Sequence, residues 1–360
     1  TNSAHVNPEF QSQSILHYQR DSSKDTNKHG TMFDHLIDQV SQVYPPKPSF
    51  VETELSDLHG KVYLITGANT GVGKELAKIL YAKNASVYIA ARSEERALAA
   101  INEIETSSPQ SSGKLAFLQL DLADLTTIPA SAQKFLGRES KLHVLFNNAG
   151  VMNPGKGSIT KQGYELQLGV NNIGTYFFTK LLSPILVETA KSEKPGTVRV
   201  IWVASSAAES PAVPKGGVDM KTIGKRTEMG DFTSYALSKA GNFLHAVEMA
   251  KRFKDKGVVS IALNPGNLDS ELWRTQGVIA SKFLKAFVLH PPKYGAYTEL
   301  FAGLSPAVTM ERSGDWVGPW GRFLSVRGDL KKASEEESKG GLGTSKAFWE
   351  WTDEQIRQYE

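Results

Sequence analysis

Val62-Tyr-Leu-Ile-Thr-Gly-Ala-Asn-Thr-Gly-Val-Gly73 begins as an apolar run and ends in three closely spaced glycines. The apolar run predicts a strand over Val62–Thr66, and the residues that follow the glycines predict a helix over Lys74–Lys83. Glycines at a strand-to-helix turn let the backbone approach a pyrophosphate, which the helix N-terminus then binds. The alternative is a plain glycine-rich turn. A G-xxxx-G-K phosphate loop is excluded, because the spacing does not fit and Lys74 is followed by Glu75.

Short apolar segments alternate with helical segments from Lys61 to about Leu263. Their richness in Val, Ile and Leu, with little polar alternation, is typical of strands buried on both faces. The predicted strands are Val62–Thr66, Ser86–Ala91, Leu115–Leu120, Leu142–Phe146, Val198–Val203 and Val258–Leu263. This alternation predicts the α/β class, as a single-domain Rossmann fold with a doubly wound parallel sheet and helices on both faces.

The regions on either side of these strands differ in composition. Residues 1–31 are polar and lack periodic apolar positions, so we expect a flexible leader or a cloning remnant. We expect one domain over 32–330, beginning with an amphipathic helix over 32–43. Residues 331–360 are predicted to form a charged tail and an aromatic helix that docks on the domain.

Composition narrows the range of functions. The chain has 360 residues, a formal net charge of +3 and no cysteine. The small, scattered positive charge argues against nucleic acid as a partner, and the lack of cysteine excludes disulfides and thiolate metal sites. No apolar run reaches the ~18 residues of a membrane span. We therefore expect a cytoplasmic protein without a membrane span, and we predict no metal site.

Tyr235 and Lys239 lie four residues apart in a segment of good helix formers. On a helix, residues at this spacing share one face. A free tyrosine has a pKa of roughly 10, and a nearby cation lowers that pKa because it favours the phenolate. The pair is therefore a candidate general acid and base near neutral pH. On its own the signal is weak, since the spacing is common in proteins.

Further motifs follow along the chain in a definite order. They are Asn147-Asn148-Ala149-Gly150 after the fourth strand, Val170-Asn171 at a helix start, Ser205-Ser206 after the fifth strand and Asn264-Pro265-Gly266 after the sixth. Singly, these residues are also common as caps, turns or loop breakers. Together with the glycine loop and the Tyr-xxx-Lys pair, they resemble the short-chain dehydrogenase/reductase family over about residues 60–270. The glycine spacing is similar to that of the shorter, oxidoreductase-type members, and the subgroup resemblance is to retinol-dehydrogenase-like and fungal secondary-metabolism reductases.

The resemblance implies catalytic roles. Tyr235 would protonate a carbonyl oxygen as hydride arrives, or deprotonate an alcohol in the reverse direction. Lys239 would lower the pKa of the tyrosine and bind the nicotinamide ribose. Ser206 would hydrogen-bond the substrate oxygen, with Ser205 as its rival. Asn171, in preference to its neighbour, would interrupt a helix and hold a water that links Lys239 to solvent.

The resemblance also implies a nicotinamide cofactor. The residues expected to contact it are Gly67, Asn69, Thr70, Gly71, Val72, Gly73, Arg92, Asp121, Leu122, Asn147, Ala149, Gly150, Tyr235, Lys239, Pro265, Gly266, Leu268 and Ser270. Asn147 and Ala149 would make their contacts through the backbone. An acid at the end of the second strand would accept from the ribose 2′-hydroxyl and repel a 2′-phosphate. Here no acid precedes Glu94, and Arg92 can bind a phosphate through two parallel hydrogen bonds. We therefore predict NADP(H) rather than NAD(H); the alternative is that Arg92 only faces solvent.

Two regions, 207–232 and 268–290, are predicted to form a lid over the substrate. The stretch between Ser206 and Tyr235 is longer than the family usually shows, and apolar residues in the second region suggest a bulky lipophilic carbonyl or alcohol. The predicted function is an NADP-dependent carbonyl reductase or alcohol dehydrogenase. A non-catalytic NADP-binding scaffold or sensor on the same fold is the alternative.

Two further partners are considered from the sequence. Val278–Leu289 is apolar with two lysines, as an interfacial helix would be, although a substrate lid explains it equally well. Members of the family often form homodimers through the helices that begin near Asn171 and Thr233, and the same is expected here by resemblance alone.

Overall fold

The computed structural model describes residues 38, 41–224, 229–269 and 289–360. Its centre is one eight-stranded sheet with the order β3-β2-β1-β4-β5-β6-β7-β8. The strands are β1 Val62–Thr66, β2 Ser86–Ala91, β3 Lys114–Gln119, β4 Val144–Asn147, β5 Arg199–Val203, β6 Val259–Leu263, β7 Trp316–Gly318 and β8 Arg322–Leu324. All neighbouring pairs are parallel except β7 and β8, which are antiparallel.

Helices cover both faces of the sheet. They are α1 Gly71–Tyr81, α2 Glu94–Ser107, α3 Ile128–Leu136, α4 Thr175–Ser192, α5 Asp231–Phe253, α6 Pro292–Leu304, α7 Gly328–Ser334 and α8 Thr344–Ile356. One apolar core joins the sheet to α3, α4 and α5, and a second joins its other face to α1, α2 and α6. The central strands are buried along their whole length because both of their faces are covered. The predicted Rossmann fold, with its doubly wound parallel sheet, is confirmed.

The six predicted strands are present, with small shifts at their ends. The largest shift is in β4, which begins at Val144 rather than at Leu142. The Leu142 N–H donates to Thr189 Oγ1 at 3.0 Å, so it is not available to a neighbouring strand. Helix α1 begins at Gly71, before the predicted Lys74, and it ends at Tyr81.

The sheet places the ends of β1 and β4 next to each other. Strand β1 pairs with β2 on one side and with β4 on the other, so the order of strands along the chain reverses at this point. In open α/β sheets, ligands bind beyond the carboxyl ends of the strands at such a switch point. The glycine loop follows β1, and the Asn147-Asn148-Ala149-Gly150 run begins at the end of β4.

The C-terminal residues pack against the domain. Within this part of the chain, β7 and β8 form an antiparallel pair. Helix α8 lies on α5, where Phe348 is fully buried and stacks on His245 with a centroid distance of 4.6 Å. The Tyr176 hydroxyl of α4 donates to Asp353 Oδ1 at 2.7 Å.

Several predictions fall outside the described residues. These are the leader over 1–31, most of the helix over 32–43, and residues 270–288 of the second lid region, which include Ser270 and nearly all of Val278–Leu289. Over the described parts of the chain, every helix is too short or too polar to cross a lipid bilayer.

Candidate active site

A cavity of about 900 Å³ opens at the carboxyl ends of the strands. Predicted site residues that line it are Gly67, Asn69, Thr70, Gly71, Val72, Arg92, Asp121, Leu122, Ala149, Gly150, Ser206, Tyr235, Lys239, Pro265, Gly266 and Leu268. Gly73, Asn147 and Asn171 lie behind this lining. The structure therefore brings the glycine loop, the Tyr-xxx-Lys pair and the loop after β6 into one cavity, large enough for a cofactor and a substrate.

The glycine loop is shaped to admit a phosphate. Gly67 and Gly71 have φ angles of +70° and +58°, which lie in the left-handed region that a side chain disfavours. Thr70 precedes the first residue of α1 and makes no side-chain cap to the helix, whose first turn contains no acid. The N–H groups at this end of α1 therefore face the cavity with the positive end of the helix dipole, as a pyrophosphate requires.

Asn148 holds the glycine loop against the end of β4. Its Nδ2 donates to Thr66 O at 2.7 Å and to Gly67 O at 3.3 Å. A Cβ added to Gly73 would lie 2.6 Å from this Nδ2. Gly73 therefore makes room for the Asn148 side chain and does not itself line the cavity. Asn148 is a site residue that was not predicted from the sequence, although its place in the Asn-Asn-Ala-Gly run could have indicated it.

The Asn147 side chain points away from the cavity. Residues alternate between the two faces of a strand, and Asn147 points toward α4, where its Nδ2 donates to Thr179 Oγ1 at 2.9 Å. It is buried and absent from the cavity lining. The contact predicted for Asn147 is through its backbone, which the direction of the side chain does not test, so it stays a prediction.

Arginines are found where the second strand meets the cavity. Arg92 and Arg96 line the cavity together with Ser93, whereas Glu94 and Glu95 do not. The Ser93 hydroxyl accepts from the Arg96 N–H and so caps α2. Two arginines and neither glutamate therefore line the cavity at the end of β2, while Asp121 lines it at the end of the neighbouring β3.

Tyr235 and Lys239 lie on α5 in the floor of the cavity, only 8% and 4% exposed. Burial raises the pKa of Tyr235 to about 12, while a hydrogen bond with Ser205 acts in the opposite direction. Burial lowers the pKa of Lys239 to about 8, and the charge of Glu299 opposes that change. From the sequence, Lys239 is expected to lower the pKa of Tyr235. In the chain by itself burial has the larger effect, and the Lys239 ammonium donates instead to Val203 O at 2.8 Å.

Both serines of the Ser205-Ser206 pair line the cavity, but they differ in their contacts. Ser205 hydrogen-bonds Tyr235, and its Oγ accepts from the Ala207 N–H at 3.2 Å. Ser206 is the first residue of the short 3-10 turn that follows. The contact with Tyr235 therefore favours the serine that the sequence argument ranked second.

Asn171 lies in a six-residue π-helical segment, Gly169–Gly174, immediately before α4. Its Nδ2 donates to Val151 O at 3.0 Å and to Ser238 Oγ at 2.9 Å, and its Oδ1 accepts from the Val151 N–H at 2.8 Å. A Cβ on Gly150 would lie 3.2 Å from Lys239 Nζ and 3.3 Å from Asn171 Oδ1. Asn171 therefore joins the loop after β4 to α5; its predicted link to a water stays a prediction.

The rest of the cavity wall is largely apolar. It includes Val151, Met152, Pro154, Leu166, Pro211 and Phe232. Pro211 and Phe232 belong to the predicted lid over 207–232, of which residues 225–228 lie outside the described chain. Gln42 and Glu209 also line the cavity, and neither was found from the sequence, because nothing in their local patterns indicates a contact across the fold.

Solved structures share this fold. Pseudomonas aeruginosa RhlG in complex with NADP has a TM-score of 0.57 and 21% identity, covering 72% of this chain and 95% of its own. A 3-ketoacyl-(acyl-carrier-protein) reductase from Brucella melitensis complexed with NADH has a TM-score of 0.57 and 24% identity, covering 74% of this chain and 99% of its own. Such low identities support the fold alone.

Sequence comparison gives the family. The family model for short chain dehydrogenases matches residues 61–216. A short-chain dehydrogenase/reductase of Phomopsis amygdali is 52% identical over 331 residues, which cover 91% of this chain and 98% of the relative. This similarity extends over nearly the whole length of both proteins. The chain belongs to the short-chain dehydrogenase/reductase family, whose members are oxidoreductases that use a nicotinamide cofactor.

Proposed function

We propose that this protein is an NADPH-dependent carbonyl reductase or alcohol dehydrogenase. The observation that carries the proposal is the arrangement of Tyr235, Lys239 and Ser205 in the floor of the same cavity into which the uncapped end of α1 opens. A cofactor bound at α1 and a substrate beside Tyr235 would share this cavity.

The cavity residues fit a dinucleotide. The positive φ angles of Gly67 and Gly71 give the loop a backbone conformation that a side chain disfavours, and the N–H groups of α1 suit a pyrophosphate. Asp121 and Leu122, after β3, line the part of the cavity expected to hold the adenine. Lys239 would hold the nicotinamide ribose, since an ammonium has three hydrogens and one is used on Val203 O.

The proton chemistry follows from the state of Tyr235. When bound, the nicotinamide supplies hydride to the substrate carbon or removes it. Because burial keeps the Tyr235 pKa near 12, the side chain is a neutral phenol at neutral pH and can donate its proton to the developing alkoxide. Ser205 hydrogen-bonds the same phenol and would orient it toward the substrate oxygen.

Substitution of Tyr235 tests the mechanism. Tyr235→Phe removes the acidic proton and keeps the ring, so turnover should fall by about 10²–10⁴-fold, while NADPH binding should change little. Turnover would be followed by NADPH absorbance with a panel of aromatic and alicyclic ketones. Retained turnover would refute the role of Tyr235. NADPH binding by the wild-type protein without turnover of any ketone would favour the scaffold alternative.

The two serines can be separated in the same assay. Ser205→Ala removes the hydroxyl that contacts Tyr235, whereas Ser206→Ala is its matched neighbour. We expect the larger loss of turnover from Ser205→Ala. A larger loss from Ser206→Ala would restore the assignment made from the sequence.

The NADP preference rests on Arg92 and Arg96 at the cavity and on Glu94 and Glu95 outside its lining. A 2′-phosphate would meet positive charge there. Titration with NADPH and NADH, followed by fluorescence, should show tighter binding of NADPH, and Arg92→Ala should reduce that preference. Lys134→Ala on α3, remote from the cavity lining, is the control. An unchanged NADPH/NADH ratio in Arg92→Ala would show that Arg92 does not bind the phosphate.

The substrate class is proposed from the apolar wall. Met152, Pro154, Leu166 and Phe232 offer apolar surface next to the reacting groups, and burying such surface contributes roughly 25 cal/mol per Å². A bulky lipophilic carbonyl or secondary alcohol fits this wall better than a small polar one. In the ketone panel, kcat/KM should therefore rise with the apolar area of the substrate.

A further inference from the structure

A polar patch interrupts the apolar wall, and the proposed chemistry does not use it. Gln42 Nε2 donates to Glu209 Oε2 at 3.0 Å, and Asn264 Nδ2 donates to Gln42 Oε1 at 2.8 Å. Gln42 and Glu209 both line the cavity. The three side chains are 4%, 9% and 3% exposed, in the order Gln42, Glu209, Asn264. These three residues form the polar patch.

The polar patch is held by groups from the C-terminal part of the chain. The Arg327 N–H donates to Glu209 Oε1 at 2.8 Å, and the Arg327 guanidinium donates to the carbonyl oxygens of Ser210 at 2.8 Å and Pro214 at 3.1 Å. The segment that carries Gln42 is fixed as well, because the Ser325 N–H donates to Asp38 Oδ2 at 3.0 Å. A patch anchored on both sides has a defined position on the cavity wall.

The polar patch retains hydrogen-bonding capacity. The Gln42 amide has two hydrogens, and within the described residues one of them is used, on Glu209. Each Glu209 oxygen accepts one hydrogen bond from a described residue and has a second lone pair. The patch can therefore accept a hydrogen bond from a ligand and donate one to it.

We propose that Gln42 and Glu209 form a recognition subsite for a hydroxyl group on the substrate, separate from the carbonyl that is reduced. A hydroxyl can donate to Glu209 and accept from Gln42, which matches the capacity that the patch retains. The inference rests on the proposed function and narrows its substrate class to a largely apolar ketone, or the corresponding alcohol, with one further hydroxyl. Gln42 and Glu209 are then specificity-determining residues.

The subsite would discriminate by desolvation. A ligand without the hydroxyl would cover Glu209 and Gln42 and leave their remaining hydrogen-bonding groups unpaired in a buried place, which is costly. A site built to hydrogen-bond a substrate hydroxyl rejects the analogue that lacks it more strongly than an apolar pocket rejects an added group. An uninterrupted apolar wall would show no such selection.

Binding of matched ketones tests the inference. The probes are 1-tetralone and its 5-, 6- and 7-hydroxy derivatives, titrated into the NADP⁺-saturated protein by calorimetry. One hydroxylated isomer should bind at least about tenfold more tightly than the parent, as a hydrogen bond to a charged group allows. Glu209→Gln should reduce this ratio toward one. Gln42→Leu, which removes only the amide, is the second variant should Glu209→Gln fail to fold. Glu336→Gln, on the surface, is the control and should leave the ratio unchanged.

The outcomes are distinguishable from failure of the proposed function. Equal or undetectable binding of the parent and hydroxylated ketones to the wild-type protein would overturn the inference, as would a preference that persists in both Glu209→Gln and Gln42→Leu. Turnover of the same ketones with NADPH is measured separately. Hydroxyl-selective binding without turnover would support the subsite and refute the reductase activity. Turnover without selectivity for the hydroxyl would support the reductase activity and refute the subsite.

Discussion

The substitution Gly73→Ala tests how closely the glycine loop is packed. Gly73 does not have a positive φ angle, so alanine is acceptable to the backbone and the cost is steric. The added Cβ would lie 2.6 Å from Asn148 Nδ2, 3.0 Å from Ala68 Cα and 3.1 Å from Gly67 O. Two of these atoms belong to the backbone and cannot rotate away. Overpacking of this kind costs about 1–3 kcal/mol.

The same clash should weaken cofactor binding. To relieve it, Asn148 must move away from Thr66 O and Gly67 O, and each hydrogen bond lost there is worth about 0.5–1.5 kcal/mol. A displaced loop would no longer present the N-terminus of α1 correctly. Since each 1.4 kcal/mol is about tenfold in affinity, we expect NADPH to bind Gly73→Ala at least about tenfold more weakly.

The assay is a fluorescence titration with NADPH together with urea unfolding. Gly137→Ala is the matched control, because its Cβ would lie 3.4 Å from Gln133 O in ordinary contact. Asn148→Ala in combination with Gly73→Ala removes the shortest contact, so the two changes should be less than additive. If Gly73→Ala binds NADPH as tightly as Gly137→Ala and is equally stable, the hydrogen bonds of Asn148 to Thr66 O and Gly67 O do not position the glycine loop.

Three further predictions concern buried groups. Neither oxygen of Glu299 has a hydrogen-bond partner among the described residues, and burial raises its pKa from 4.5 to about 8. Between these two pH values the Glu299 carboxyl stays protonated in the folded state but is ionised in the unfolded state. The free energy of unfolding of the wild type should therefore fall relative to that of Glu299→Gln as pH rises from 4.5 to about 8. A pH-independent difference in urea unfolding would contradict this. Arg199 is 3% exposed and donates to four carbonyl oxygens, three of them at or beyond the end of α6. Arg199→Leu should cost about 3 kcal/mol or more in urea unfolding, and an equal cost from Arg357→Leu, on the surface, would be inconsistent with it. Phe348→Ala should cost about 3–5 kcal/mol, because the ring is fully buried against His245, and thermal unfolding at an unchanged Tm would rule out tight docking of α8.

The fold could be read from the sequence because its signals are local. Each parallel strand is an apolar run, and buried strands differ from helices in length and pattern. The glycine loop joins the end of β1 to the start of α1 within a few residues. The spacing of its glycines was therefore enough to predict where the loop lies in the fold. The boundary of β4 was less predictable, since the Thr189 side chain that ends the pairing of Leu142 comes from a distant helix.

The site was predictable where a motif fixes a side chain to one element. Tyr235 and Lys239 share a face of α5 because they are four residues apart. Choices within a pair of identical residues were not predictable, since the face toward which each side chain points depends on the fold. Asn147 and Asn148 differ in this way, with only Asn148 on the cavity. Gln42 and Glu209 meet across 167 positions of sequence, which no local pattern can indicate.

Helix α8 bears on how this protein assembles. It contacts α4 and α5, the helices through which the family resemblance predicts a homodimer. A second copy that packed at the position of α8 would have to displace Phe348 from His245 and break the bond between Tyr176 and Asp353. The polypeptide thus places its own C-terminal helix on the surface at which a homodimer was expected.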